Sequence, residues 1–170
     1  PGDDQITSAT PSSLTFDGTN WSTAFVVTLV VNDDVIQEVS PHSGESVWRV
    51  STSTDTFYSA LADVTFSAVT IVDDDTAAFV TSGSVTVTEG SAASDEFQLK
   101  LATEPASTVT VTLTSDVQTT EVNTLLTFDA SNWSVDQTMT VTATDDKIDE
   151  VSPHPSVVTI DAASGDAFYD

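Results

Sequence analysis

The 170-residue chain contains no cysteine, only three basic residues and a single methionine. Each shortage removes a class of explanation. Without cysteine there is no disulfide framework and no thiolate metal centre, and the redox compartment cannot be read from cysteine usage. Three Lys+Arg against 27 Asp+Glu give a formal net charge of -24. Nucleic acid is therefore excluded as a partner, because its phosphates must be met by clustered cations. Anionic membrane surfaces are disfavoured for the same reason. No apolar run approaches the roughly 18 residues of a transmembrane helix, and no signal-peptide pattern opens the chain, so no membrane insertion is expected in this segment. The composition is nevertheless that of a folding chain: 39% hydrophobic residues with 3 Trp, 2 Tyr and 8 Phe are enough to build a core. At about 150 residues per domain, the length allows one domain or two small ones.

What the chain has in excess is β-formers. There are 29 Thr and 23 Val, and β-branched residues favour pleated, half-buried surfaces. Phe97, Leu99 and Leu101 alternate with Gln98 and Lys100; Val109, Val111 and Leu113 alternate with Thr110 and Thr112; Met139, Val141 and Ala143 alternate with Thr140 and Thr142. These read as strands with one buried face. Further strands are expected at Leu14–Phe16, Ala24–Val31, Val47–Ser51, Val64–Val72, Val85–Thr88, Leu125–Phe128 and Val157–Ile160. No twelve-residue window sustains a 3.6-residue period, so the chain is expected to be all-β.

The sequence also repeats itself. Thr15-Phe16-Asp17-Gly18-Thr19-Asn20-Trp21-Ser22 returns 112 residues later as Thr127-Phe128-Asp129-Ala130-Ser131-Asn132-Trp133-Ser134. Asp33-Asp34-Val35-Ile36-Gln37-Glu38-Val39-Ser40-Pro41-His42 returns at the same offset as Asp145-Asp146-Lys147-Ile148-Asp149-Glu150-Val151-Ser152-Pro153-His154. Ser53, Asp55, Phe57 and Tyr58 return as Ser164, Asp166, Phe168 and Tyr169, one residue short. The period is about 112 residues, a sign of tandem architecture. Its phase divides the chain into residues 1–75, the C-terminal part of one repeat, and 76–170, most of the next without its last strand. A slice of a longer array is expected. The junction Asp73-Asp74-Asp75-Thr76 has no Gly or Pro spacer, which favours a stiff rod over beads on a string.

The acids recur with the repeat. Asp3-Asp4 and Asp116, Asp33-Asp34 and Asp145-Asp146, and Glu38 and Glu150 fall at matching strand ends, joined by Asp73-Asp74-Asp75 and Glu89. Two like charges about 4 Å apart repel by roughly 4 kcal/mol at an effective dielectric near 20. Too few cations exist to compensate. A hard divalent ion is the natural remedy, and Ca²⁺, with six to eight oxygen ligands in flexible geometry, suits such a set better than octahedral Mg²⁺. Solvated turn residues are the plainer alternative for any single pair. The pattern is not an EF-hand loop, because Asp145–Glu150 lacks the central Gly.

At these residues the chain resembles the Calx-beta domain. Val69-Thr70-Ile71-Val72-Asp73-Asp74-Asp75 is similar to its closing strand and acidic tail, Val87-Thr88-Glu89-Gly90 to its opening strand, and Thr144-Asp145-Asp146-Lys147-Ile148-Asp149-Glu150 to its central acidic loop. The Phe-x-x-x-Asn-Trp-Ser segment before Gln137 is similar to the Calx-beta-like repeats of giant secreted adhesins. The resemblance implies immunoglobulin-like β-sandwich repeats binding Ca²⁺ at one end. Its ligand positions fall on Asp4, Asp33, Asp34, Glu38, Asp73, Asp74 and Asp75 in the first repeat, and on Glu89, Asp116, Asp145, Asp146 and Glu150 in the second. Lys147 stands where an acid is common in the family, which weakens the second set.

Asn20-Trp21-Ser22 and Asn132-Trp133-Ser134 also match the N-glycosylation pattern; an Asn turn placing a Trp at a sandwich edge is the favoured reading. His42 and His154 close the acidic loops and are read as solvated turn residues rather than ligands. No catalytic arrangement emerges: both His sit in one recurrent loop, and no carboxylate has the apolar pocket that paired-acid catalysis requires. The expectation is a non-enzymatic, Ca²⁺-binding segment of a long extracellular or cell-surface adhesive stalk. Its partners would be neighbouring repeats. Like chains in a filament, or surface glycans, are the alternatives.

Overall fold

A computed structural model describes residues 5–122 and 124–170, which form an all-β chain divided into two units. The first comprises the chain up to Asp34 together with Glu38–Asp73, and the second Val35–Gln37 with Asp74–Asp170. One short helix interrupts the expectation of strands alone: α1, Thr56–Ser59, capped by Asp55, whose side chain accepts the Phe57 N–H.

The second unit holds seven strands: β5 (Phe79–Ser82), β6 (Ser94–Leu101), β7 (Val109–Ser115), β8 (Thr119–Val122), β9 (Leu125–Phe128), β10 (Gln137–Ala143) and β11 (Val158–Ser164). They form a four-stranded sheet in the order β5-β6-β10-β8 and a three-stranded sheet in the order β11-β7-β9, with every pairing antiparallel. Alternation sends Leu99, Leu101 and Met139 from one sheet, and Val109, Val111, Leu113, Leu126 and Phe128 from the other, into one shared core. The arrangement is sandwich-like. Full burial of each such side chain is worth about 1.5–3 kcal/mol, so this cluster carries the unit. Tyr169 closes it: its hydroxyl accepts the Thr103 N–H at 3.1 Å and lies 3.1 Å from the Thr103 carbonyl.

Among the described residues the first unit holds four strands in two separate pairs. β1 (Ile6–Thr10) pairs with β2 (Thr28–Val31), and β3 (His42–Trp48) pairs with β4 (Val64–Ile71). Among the residues whose burial is described, its buried ones are few: Gln5, Gly44 and Ile71. A Cβ on Gly44 would lie 2.8 Å from Ile71 Cδ1 and 3.1 Å from Ile6 Cδ1, so a larger residue here would require the ends of these two side chains to shift.

Several expected strands differ. Leu14–Phe16 is irregular, although its copy Leu126–Phe128 lies in β9. The cause is pairing. β9 lies along β7, and residues 14–16 have no such partner among the described residues. Phe16 is accordingly 57% exposed where Phe128 is 0% exposed. Residues 24–27 and 49–51 are irregular as well, so β2 is shorter than expected, while β3 starts earlier than expected, at His42, and ends at Trp48. Val85–Thr88 is not a strand either; the Thr86 N–H is taken by the Asp95 side chain at 2.8 Å instead of a ladder carbonyl. The strands that sequence reading missed, β1, β5 and β8, are short and mostly polar.

Candidate functional site

The repeated sequences build the same hydrogen-bonded turn twice. In the first, Asn20 Oδ1 accepts the Asp17 N–H at 2.8 Å and Asn20 Nδ2 donates to the Thr15 carbonyl at 3.0 Å. Asp17 Oδ1 accepts from the Thr19 N–H and hydroxyl at 2.7 and 2.6 Å. In the second, Asn132 Oδ1 accepts the Asp129 N–H at 2.7 Å and Nδ2 donates to the Thr127 carbonyl at 3.0 Å, while Asp129 Oδ1 accepts from the Ser131 N–H and hydroxyl at 2.8 and 2.5 Å. Aspartate and asparagine suit this task because their short side chains bond backbone two or three residues away. Both ends of each amide are engaged, which gives Asn20 and Asn132 a turn-forming role.

The turn hydrogen bonds favour the ionised carboxylate. The Thr19 hydroxyl, followed by its N–H, lowers the pKa of Asp17, and the Ser131 hydroxyl and N–H do the same for Asp129. The Val157 N–H, then the Ser156 hydroxyl, lowers that of Asp116. A folded pKa below the unfolded one stabilises the native state above the ordinary Asp value of about 3.9, and the contribution is lost as pH falls through the lower folded value. Carboxyl-carbon NMR titration should show these three groups ionising below the bulk of the aspartates; coincident midpoints would contradict the assignment.

The acidic loops are also duplicated. Gln5 Nε2 donates to Glu38 Oε1 at 2.9 Å, and Gln118 Nε2 to Glu150 Oε1 at 2.8 Å. His42 Nε2 lies 3.4 Å from Glu38 Oε2, and His154 Nε2 3.3 Å from Glu150 Oε2. Each glutamate thus joins the start of one strand to the loop that follows another. Sequence reading did not single out the two glutamines, although they recur near the repeat offset. The histidines, expected to be merely solvated, each face a glutamate.

The remaining candidate acids fall into three arrangements. Asp73, Asp74 and Asp75 place one carboxylate oxygen each within 4.8 Å of one another, and Asp73 Oδ2 also accepts the Glu38 N–H at 2.9 Å. Glu89 Oε1 accepts the Asp146 N–H at 2.9 Å, and Asp146 Oδ1 accepts the Ile148 N–H. Asp145 lies beside Gly90, its Oδ1 3.6 Å from where a Cβ would stand. Asp116 engages loop residues with both oxygens: Oδ1 accepts from the Ser156 hydroxyl and Gln118 N–H, and Oδ2 from the Val157 N–H. Asp34 Oδ2 lies 3.4 Å from Asn32 Nδ2, and Asp33 is exposed. Asp4 lies outside the described residues. Among the described residues, the run Asp73–Asp75 alone gathers three potential ligand groups at this spacing. An all-oxygen, all-anionic donor set fits a hard cation such as Ca²⁺ and offers nothing to a soft metal.

No protein-family model, curated protein or solved structure matches this chain.

Proposed function

We propose that the chain is a Ca²⁺-binding structural segment of a long extracellular adhesive stalk or fibre, built from immunoglobulin-like sandwich repeats in tandem. The observation that carries the repeat reading is the duplication of one turn at the sequence offset of 112 residues and of one Gln–Glu–His loop, its Glu and His at that offset and its Gln at 113. A chain that invests its side-chain hydrogen bonds in restating one scaffold suits a spacer better than a catalyst. The calcium reading rests on the acids. Asp73, Asp74 and Asp75 lie in the sequence where one repeat passes into the next, and their mutual repulsion opposes order there until a cation offsets it. Ca²⁺ held by these carboxylates would supply charge screening and fix the backbone at that passage. Glu38, tied through its N–H to Asp73, would keep the acidic run in place.

The test is thermal melting of the chain in Ca²⁺ and in chelator. At free Ca²⁺ tenfold above Kd, one site adds about 1.4 kcal/mol, which corresponds to a rise in Tm of about 5–10 °C for a domain of this size. Identical melting curves would overturn the calcium reading. Mg²⁺ at equal concentration should give a smaller rise, because it sheds its waters reluctantly.

A further inference from the structure

The first unit carries an apolar groove of about 380 Å³ lined by Phe25, Val27, Leu29, Trp48 and Val64. Two strand edges are also unpaired there: among the described residues β2 pairs only with β1, and β3 only with β4. The second unit shows what such a surface receives. Its β8–β10 pairing repeats that of β1–β2 in register: Ala9↔Leu29 and Thr10↔Thr28 return as Glu121↔Val141 and Val122↔Thr140. There the other edge of β10 holds β6, from Gln137↔Leu99 to Thr142↔Ser94, and β11 holds β7. Val27 corresponds to Met139, which is buried with Leu99, Leu101, Val109 and Val111.

We infer that the groove and free edges of the first unit form a binding site for a strand pair of the β6–β7 kind, supplied by another copy of this repeat. One strand would add to β2 by main-chain hydrogen bonds, as β6 adds to β10, and the other would lie along residues 46–51, as β7 lies along β11. Alternate Leu and Val side chains would then fill the groove. The interface this requires is already established once in the structure, between β6 and β10 and between β7 and β11. Residues whose copies touch those strands remain open in the first unit. Tyr58 is 59% exposed where Tyr169, bonded to Thr103, is 4% exposed. Irregular Leu14–Phe16 repeats the sequence of Leu126–Phe128, which is a strand because β7 pairs with it. A sugar or a polar peptide is a poorer occupant, since the lining side chains offer one indole N–H and no other polar group.

The inference is tested on the full chain extended ahead of Pro1 by a second copy of its own residues 77–115. The control carries Val109→Asp and Val111→Asp in the added copy only. Readouts are the Trp48 indole resonance and amide exchange at residues 14–16. The expected result is a displaced Trp48 signal and protection of those amides raised by at least about 100-fold, with neither change in the control. An extension that leaves both readouts unchanged, or a control that reproduces both changes, overturns the inference.

Discussion

Replacing Phe128 by alanine should lower the stability of the second unit by about 3–5 kcal/mol, the usual cost of truncating a fully buried phenylalanine. The same replacement at Phe16, which occupies the matching place in the repeat, should cost under about 1 kcal/mol. Both side chains follow the same Leu-Thr dipeptide and precede the same Asp-containing turn, so local sequence does not separate them. Their surroundings do. Phe128 projects from β9 into a core built from both sheets, and the cavity left by truncation would be lined by leucine and valine from β6, β7 and β9. Phe16 touches Phe25 edge to face at a centroid distance of 5.2 Å and is more than half exposed. Denaturant unfolding followed at Trp133, which packs on the second unit's core, gives the first value, and the Trp48 signal gives the second. Equal losses at the two sites would mean that the units are not packed as described.

The second large effect is expected at Tyr169. Tyr169→Phe keeps the ring in the core but removes the hydroxyl that accepts the Thr103 N–H and contacts the Thr103 hydroxyl at 2.7 Å. Thr103 is buried, so its N–H loses this acceptor without gaining water, at a cost of about 1–3 kcal/mol. Tyr58→Phe, the equivalent change in the first unit, should fall within about 0.5 kcal/mol of no effect, because Tyr58 is exposed. A Tyr169→Phe chain as stable as the parent would show that this hydroxyl does not help close the core of the second unit.

The contrast between the two copies also shows what was legible in the sequence. β6, β7 and β10 were readable because apolar residues (Phe, Leu, Val, Met) alternate there with polar ones, the pattern of a strand with one dry face. β1, β5 and β8 were not, since a strand such as Thr119–Val122 owes its order to pairing with β10 rather than to its own pattern. Leu14–Phe16 shows the opposite failure: the pattern is present but no partner strand realises it. The acids were legible as positions but not as roles. The Calx-beta resemblance implied Asp116 as a ligand position, while the structure engages both its oxygens with the loop at Ser156 and Val157, across about 40 residues of sequence. Glu38 and Glu150 were found by their repeat phase, whereas the glutamines that hold them come from other strands' ends and carry no charge to attract notice.

The central claim is that the acidic run beside Glu38 holds calcium, and titration calorimetry of the chain with Ca²⁺ tests it most directly. The account predicts saturable binding, with Kd on the order of 10⁻⁴–10⁻³ M or tighter as in extracellular modules. Converting Asp73, Asp74 and Asp75 together to asparagine should weaken it at least about tenfold while leaving the Phe128 core folded. No saturable binding by the parent chain, or unchanged binding by the triple variant, would contradict it.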